Sequence, residues 1–423
     1  MKTNPKVAIV STTDLAGGAA RSAHRLYRGL RAIGHPVRMR VLVCRDSDPC
    51  VSAYAEDEGA IARVARRAEA HARSWWFDRI AAPDRPGGFE IFSPDPWPPG
   101  RGALAGLEDA EVINLHWVAG FIDSRAIGAL CATGRPLVLT LHDMNMFTGG
   151  CHYDADCGRF TGACSRCPQL ASAAERDLST RIQARKRIAF AAATANRVRV
   201  VAPSRWLAAE ASRSAVLGGF RTEVIPYGLD LDIYAPGDRA HSRAVLGVPP
   251  EARAVLFVAH KVDNARKGMA RAIEALRLLA DIPGLTLISV GAGAPADLPV
   301  PHVALGEIAD EARLAHAYRA ADVFAIASAQ DNLPNTVLEA LGCGTPIVGT
   351  DIGGIPDMVR NDATGFVAPL GDARAFAAAL RRILEDRALA VRLGAQARRV
   401  AEAEYGLTAQ AHAYARVYAE MAE

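Results

Sequence analysis

The chain reads as an α/β protein made of two Rossmann-like, doubly wound domains, and three observations predict this. Short β-branched runs alternate with longer Ala/Leu/Arg stretches of helical composition along the whole length. The strand-like runs form two sets, one over residues 7–10, 37–43, 112–115, 137–141 and 198–201, the other over 255–258, 286–290, 303–305, 323–326 and 347–348. A chain of 423 residues, half of them hydrophobic, also exceeds what a single core usually organises.

The opening segment places lysines before an apolar run too short for a signal-peptide core, so residues 7–10 read as a first buried strand. No stretch of eighteen apolar residues follows, and a cytoplasmic location is expected. Residues 82–102 form an irregular Pro/Gly excursion of the kind that lines a site. Glycines and prolines over residues 215–235 mark a domain junction. The first domain is expected to span residues 1–217 with a Cys-rich insertion at 150–170, and the second residues 218–402. Residues 403–423 are expected to form a helix that packs back on the first domain. Charge excludes one broad class: 49 Lys and Arg against 46 Asp and Glu leave a formal +3, too little for a dedicated nucleic-acid binder.

After the first strand, Gly17 and Gly18 open a helix, where a ligand can approach the backbone closely. The spacing is not GxGxxG, which argues against a dinucleotide cofactor. His142 follows the run LVLTL and can donate to a sugar hydroxyl or a developing charge; His116 is a similar candidate with weaker placement. Cys151, Cys157, Cys164 and Cys167 fall within seventeen residues and end in CxxC, a set suited to a structural zinc or else to free or redox-linked thiols. Arg21, Arg25 and Arg28 share a helical spacing, and Arg63, Arg66, Arg67 and Arg73 accompany Trp75 and Trp76. Such runs form either solvated faces or peripheral contacts with anionic headgroups on the inner face of a membrane.

In the second half, HKVDNARKG puts Lys261, Arg266 and Lys267 on a strand-to-helix loop, where cations can neutralise a departing diphosphate. Residues 331–359 supply the complement. Asp331 and Glu339 bracket a helix start, with Asn332 expected as N-cap, Pro334 in the first turn and free N–H groups near Asn335 and Thr336 facing an anion. Glu339 lies one turn beyond Asn335 on the same face.

Taken together, these motifs resemble the retaining nucleotide-sugar glycosyltransferases of family four, which have the GT-B fold of two such domains facing a central cleft. The resemblance rests on Gly17 and Gly18, on His142, on APSRW at 202–206, and on IPYG at 225–228 with Tyr227 where the family has Asn. It also rests on Lys261 and Lys267 where the family has Arg and Lys, and on Asp331 and Glu339 where it has two Glu spaced alike. The Cys-rich run is similar to family members of bacterial exopolysaccharide and lipopolysaccharide synthesis. The resemblance implies a metal-independent hexosyltransferase with no catalytic cofactor, using a UDP- or GDP-sugar donor and a glycan or lipid-linked acceptor. It implies catalytic roles for His142, Lys261, Lys267 and Asp331, and donor contacts from Gly17, Gly18, Asn332, Leu333, Pro334, Asn335 and Glu339. Lys for Arg keeps the charge but loses the bidentate fork. A nucleotide-sugar 2-epimerase on the same fold, or a degenerate nucleotide-binding subunit, are the alternative readings.

Overall fold

The computed structural model describes residues 4–54, 60–87, 89–95, 104–293, 295 and 297–423. Residues 88 and 96–102 of the irregular excursion lie outside the described residues. The chain divides into two compact units, Met1–Ile225 with Ala411–Glu423, and Pro226–Gln410.

The first unit is built on a parallel sheet of β1 (Val7–Thr13), β2 (Val37–Val43), β3 (Val51–Ala53), β4 (Val112–Leu115), β5 (Leu137–Thr140), β6 (Val198–Ala202) and β7 (Thr222–Val224). Its order is β3-β2-β1-β4-β5-β6-β7, with Val7 of β1 in register with Val37 on one side and Val112 on the other. Parallel strands need crossovers, and these put helices on both faces. The alternation of β1 shows the result. Val7 and Ile9 join a core with Leu26, Tyr27 and Leu30 of the helix Gly18–Ala32, whereas Ala8 and Val10 join Ile113, Leu115 and Leu139 on the other side.

The second unit repeats the plan with β8 (Arg253–Lys261), β9 (Leu285–Ala292), β10 (His302–Ala304), β11 (Val323–Ile326), β12 (Ile347–Thr350) and β13 (Gly365–Ala368). The order is β10-β9-β8-β11-β12-β13, again parallel. Val255 and Phe257 face one core while Ala254 and Leu256 face the other.

The domain limits differ from the expected 217/218 and 402/403. Leu229 donates to Tyr405 O at 2.7 Å and accepts from Leu407 N–H at 3.3 Å, which keeps residues 405–407 in the second unit. The helix Leu407–Ala422 then contributes Tyr414, Val417, Tyr418 and Met421 to a core of the first unit. Its polar groups are matched there. Asn114 Nδ2 donates to Tyr418 Oη at 2.7 Å, Thr140 Oγ1 donates to Asn114 Oδ1 at 2.9 Å, and Tyr414 Oη lies 3.1 Å from Thr140 Oγ1. Arg199, on β6, pairs with Glu223 and Glu420.

Two expectations for the surface change. Arg25 is buried, so Arg21, Arg25 and Arg28 do not form one solvent-facing basic stripe. Trp75 is exposed on the helix Ala60–Trp76, while Arg63, Arg66 and Arg67 lie outside the described side chains. Among the described residues, no helix is long and apolar enough to cross a membrane.

Tyr418→Phe removes the acceptor of a buried amide N–H and should cost about 1–3 kcal/mol. Urea denaturation checks this; an unchanged midpoint would show that the Tyr418–Asn114–Thr140 layer does not hold the last helix.

Candidate functional site

In the second sheet the strand order reverses between β8 and β11. A doubly wound sheet opens a crevice at the carboxyl ends of the strands flanking such a reversal, because their helices depart toward opposite faces. β8 ends at Lys261 and β11 at Ile326, so the loops 262–268 and 327–334 line that edge. Two glycines let neighbouring segments close on them. A Cβ on Gly268 (φ +84°) would stand 1.9 Å from Ala327 O, and one on Gly353 (φ +55°), in the turn after β12, 1.9 Å from Asp331 O. No larger residue fits either place without parting the loops.

Asp331 sits at the centre of this edge, only 4% exposed. Its Oδ2 accepts from Lys267 Nζ at 2.7 Å and Ser328 Oγ at 3.2 Å, and its Oδ1 lies 3.5 Å from Arg266 Nη1. Burial opposes its ionisation, yet Lys267 and Arg266 outweigh burial and hold the carboxyl below its ordinary value. Arg266 Nη1 also donates to Gln330 O at 2.7 Å. Protein donors engage both oxygens, and the carboxylate ties two loops together. Lys261, by contrast, is exposed at the end of β8.

Arg271 was missed in the sequence. Its Nε donates to Ala327 O at 2.8 Å and its Nη2 to Arg266 O at 3.2 Å, stitching the cationic loop to the end of β11. A usable signal existed: Arg271 lies in the first turn of the helix Met269–Arg277, where the helix dipole disfavours a cation.

The helix expected to begin at an Asn332 cap instead runs Asn335–Cys343, with Pro334 in the N-cap position and no side-chain cap. Asn332 has slipped two residues ahead of the cap because the ring of Pro334 fixes the last non-helical residue. Pro334 supplies no side-chain cap to the first turn, and a helix N-terminus suits an anion. Leu333 is a core side chain, leaving only its backbone to serve a ligand. Glu339 is buried, and its Oε2 accepts the Tyr318 hydroxyl at 2.9 Å. Burial and the Glu339 charge push that hydroxyl far above its ordinary range, so it remains a donor.

In the first sheet the order reverses between β1 and β4. Gly17 (φ +90°) is the N-cap of the helix after β1, so Gly17 and Gly18 lie in the first unit, not in the unit that holds the other expected donor residues. Asp14, unremarked in the sequence, is fully buried at the end of β1 and accepts the Arg45 and Asp46 N–H groups at 2.6 and 2.7 Å. His116 and His142, ranked apart in the sequence, form one pair: His116 Nδ1 lies 3.0 Å from His142 Nε2. Burial drives both imidazoles down, His142 to about 4 and His116 well below its ordinary value. Both are neutral at pH 7. The next residue, Asp143, accepts from Trp117 Nε1 at 2.8 Å and lies 2.7 Å from His152 Nδ1.

The four clustered cysteines do not fit the expected zinc. All are free thiols, and among the described residues no group of three or more His, Cys, Asp or Glu side chains could hold a metal ion. They divide between two apolar clusters, Cys164 with Phe147 and Phe160, Cys151 and Cys167 with Phe92 and Ile182. Burial pushes Cys164 up to about 12 and raises Cys151, Cys157 and Cys167, so the thiols stay neutral and three of them act as small core residues.

Two parallel sheets, each with a reversal of strand order, and a cation-lined edge on one of them define a doubly wound α/β protein with its candidate site at strand ends. The family model described as Glycosyltransferase Family 4 matches residues 16–233, about half of the chain, and that described as Glycosyl transferases group 1 matches residues 252–386. The chain belongs to glycosyltransferase family four. It is 37% identical over 202 residues to a D-inositol 3-phosphate glycosyltransferase of Geodermatophilus obscurus, covering 43% of this chain and 44% of that relative. The chain thus matches less than half the length of that curated relative. Among solved structures, sucrose-phosphate synthase from Thermosynechococcus elongatus superposes with a TM-score of 0.63 at 21% identity, covering 99% of both chains. Anabaena HepE in complex with UDP-glucose gives 0.62 at 18%, covering 98% of this chain and 99% of its own. At such identities the likeness is one of fold, and that fold is GT-B.

Two outcomes follow for this site. Unfolded His142 takes up a proton below pH of about 6.5 that the folded chain refuses until about 4, so stability should fall through that window by on the order of 3 kcal/mol. Urea midpoints at the two ends of the window should differ less in His142→Asn; equal loss in both proteins would remove His142 as the cause. Lys267→Ala, which leaves the buried Asp331 carboxylate to Arg266 and Ser328, should cost about 3 kcal/mol, read as a lower urea midpoint.

Proposed function

We propose that the protein is a retaining glycosyltransferase that moves a sugar from a nucleotide-diphosphate sugar to a glycan or lipid-linked acceptor in cell-surface polysaccharide synthesis. The observation that carries this reading is the second unit's strand edge, where Lys261, Arg266 and Lys267 outnumber the carboxylates of Asp263 and Asp331 beside the start of the helix Asn335–Cys343. Three cations against two anions leave the edge positive, as a diphosphate requires. HepE, of the same fold, has been solved with UDP-glucose, which supports a nucleotide-sugar donor here.

In this reading Lys261 meets the diphosphate directly, and Lys267 does so while anchored by Asp331. The N–H groups of Asn332 and Leu333 and of the first helical turn, at Asn335, serve the sugar and phosphate. Glu339, oriented by Tyr318, accepts the ribose hydroxyls. The bond from the anomeric carbon to the diphosphate oxygen breaks as the acceptor oxygen bonds to the same face, and the acceptor proton passes to the leaving diphosphate. The resident cations stabilise that leaving charge, so the step needs no further cofactor. His142, neutral at pH 7, serves a sugar hydroxyl by hydrogen bonding rather than as a cation.

A thermal-shift screen of UDP-, GDP- and ADP-sugars tests the donor, since a ligand that binds only the folded state raises its melting temperature. One base should win. Glu339→Ala should weaken that donor about tenfold, and Lys261→Ala should lower turnover about 10²-fold with little change in folding. Full activity in both variants, or no shift with any sugar nucleotide, would remove the assignment.

A further inference from the structure

Beyond the ends of β4 and β5 in the first unit, two successive residues of one segment meet two successive residues of the other. Trp117 Nε1 donates to Asp143 Oδ2 at 2.8 Å. The residues just before them, His116 and His142, bring Nδ1 and Nε2 to 3.0 Å, with ring centroids 5.2 Å apart and planes tilted by 37°. Both imidazoles stand on fixed backbone. The His116 N–H donates to Val10 O at 2.8 Å, and the N–H of Leu141, next to His142, donates to Val201 O at 2.8 Å. Sheet neighbours and the Trp117–Asp143 clamp thus hold the two rings at hydrogen-bonding distance.

Burial keeps both rings neutral at pH 7. Two neutral imidazoles placed this way hold one proton between their facing nitrogens, because two protons would clash and none would set lone pair against lone pair. Their tautomers are therefore locked to one another. Either His116 donates from Nδ1, which leaves the His142 proton on Nδ1, or His142 donates from Nε2, which leaves the His116 proton on Nε2. His116 is 3% exposed, and its Nε2 is buried with no hydrogen-bond partner among the described residues. The second arrangement would strand an N–H at that atom, whereas the first leaves only a lone pair there. Orphaned buried N–H groups are rarer in native proteins than under-satisfied acceptors, which favours the first.

We infer that His116 is a positioning residue that fixes the tautomer of His142: it donates from Nδ1 to His142 Nε2, so that His142 carries its proton on Nδ1 and meets a ligand there as a donor rather than as a base. A donor suits a sugar oxygen or an atom that gains negative charge. The link to turnover rests on the transferase reading; the tautomer itself does not.

Nitrogen-15 NMR of the full chain, labelled in its histidine rings, reads the tautomer directly at pH 7. Loss of signals in His116→Phe and His142→Asn assigns the two rings. In the parent both should show a protonated Nδ1 and a bare Nε2. His116→Phe keeps an aromatic ring but removes the donor, so His142 should pass to a mixture of tautomers. His116→Asn, whose side-chain amide reaches the place of Nδ1, should hold the His142 proton on Nδ1. With the preferred nucleotide sugar, His116→Phe should lower turnover about tenfold, the loss of one oriented hydrogen bond, while affinity for the nucleotide diphosphate stays unchanged; His116→Asn should restore most of the turnover. If His116→Phe folds poorly, the parent spectrum and His116→Asn decide the matter. A proton on His142 Nε2 in the parent, or a mixture of tautomers there, overturns the inference. So does full turnover in a His116→Phe protein that has lost the single tautomer. A parent that turns over no nucleotide sugar defeats the transferase reading instead, and the spectrum still decides the tautomer.

Discussion

The ion pair between Lys267 and Asp331 joins two loops that leave the sheet at its point of strand reversal. One loop carries the cations and the other leads into the uncapped helix. With side-chain exposures of 26% and 6%, both groups are largely withdrawn from water, where attraction is strong but desolvation costs several kcal/mol. Such a pair holds only if further donors complete it. Ser328 and Arg266 do so, and Arg271 and Gly268 bring the cationic loop close enough for the contact to form. Asp331 is the post on which Lys267 stands.

The first unit offers a different set of groups at its own reversal. At its reversal the imidazoles of His116 and His142 share one hydrogen bond and stay neutral through burial, while the adjacent Asp143 charge is spent on Trp117, Asn145 and His152. Each sheet thus presents a different chemistry at the same topological place. A positive edge suits a leaving diphosphate, and neutral hydrogen-bonding groups suit hydroxyls.

The interior strands were legible because parallel strands covered on both faces are near-continuous apolar runs, as at 112–115 and 323–326, which match the structure end to end; residues 37–43, which also match, were read instead from alternation of apolar residues with Arg38 and Arg40. The strands that went unread, Val51–Ala53, Thr222–Val224 and Gly365–Ala368, are all at sheet edges. They are short and partly exposed, so they lack that signature. In the site, residue types were readable and partnerships were not. Lys267 and Asp331 were both named, but nothing in the spacing of residues 267 and 331 says that they neutralise each other. Asn332 reads as a good cap, yet Pro334 moves the helix start past it. The cysteine spacing suggested a metal, whereas the fold sends Cys164 to one apolar cluster and Cys151 and Cys167 to another.

The central claim is that the Lys267–Asp331 pair organises the donor site as a unit. A double-mutant cycle measures this directly: the affinity for the preferred nucleotide diphosphate in the parent, Lys267→Met, Asp331→Asn and the double variant, determined by calorimetry under one salt condition. The account predicts that each single change weakens binding strongly and that the double variant is little worse than either, a coupling of at least about 1.4 kcal/mol, or tenfold. Additive effects of the two changes would contradict it and would return Lys267 and Asp331 to independent roles.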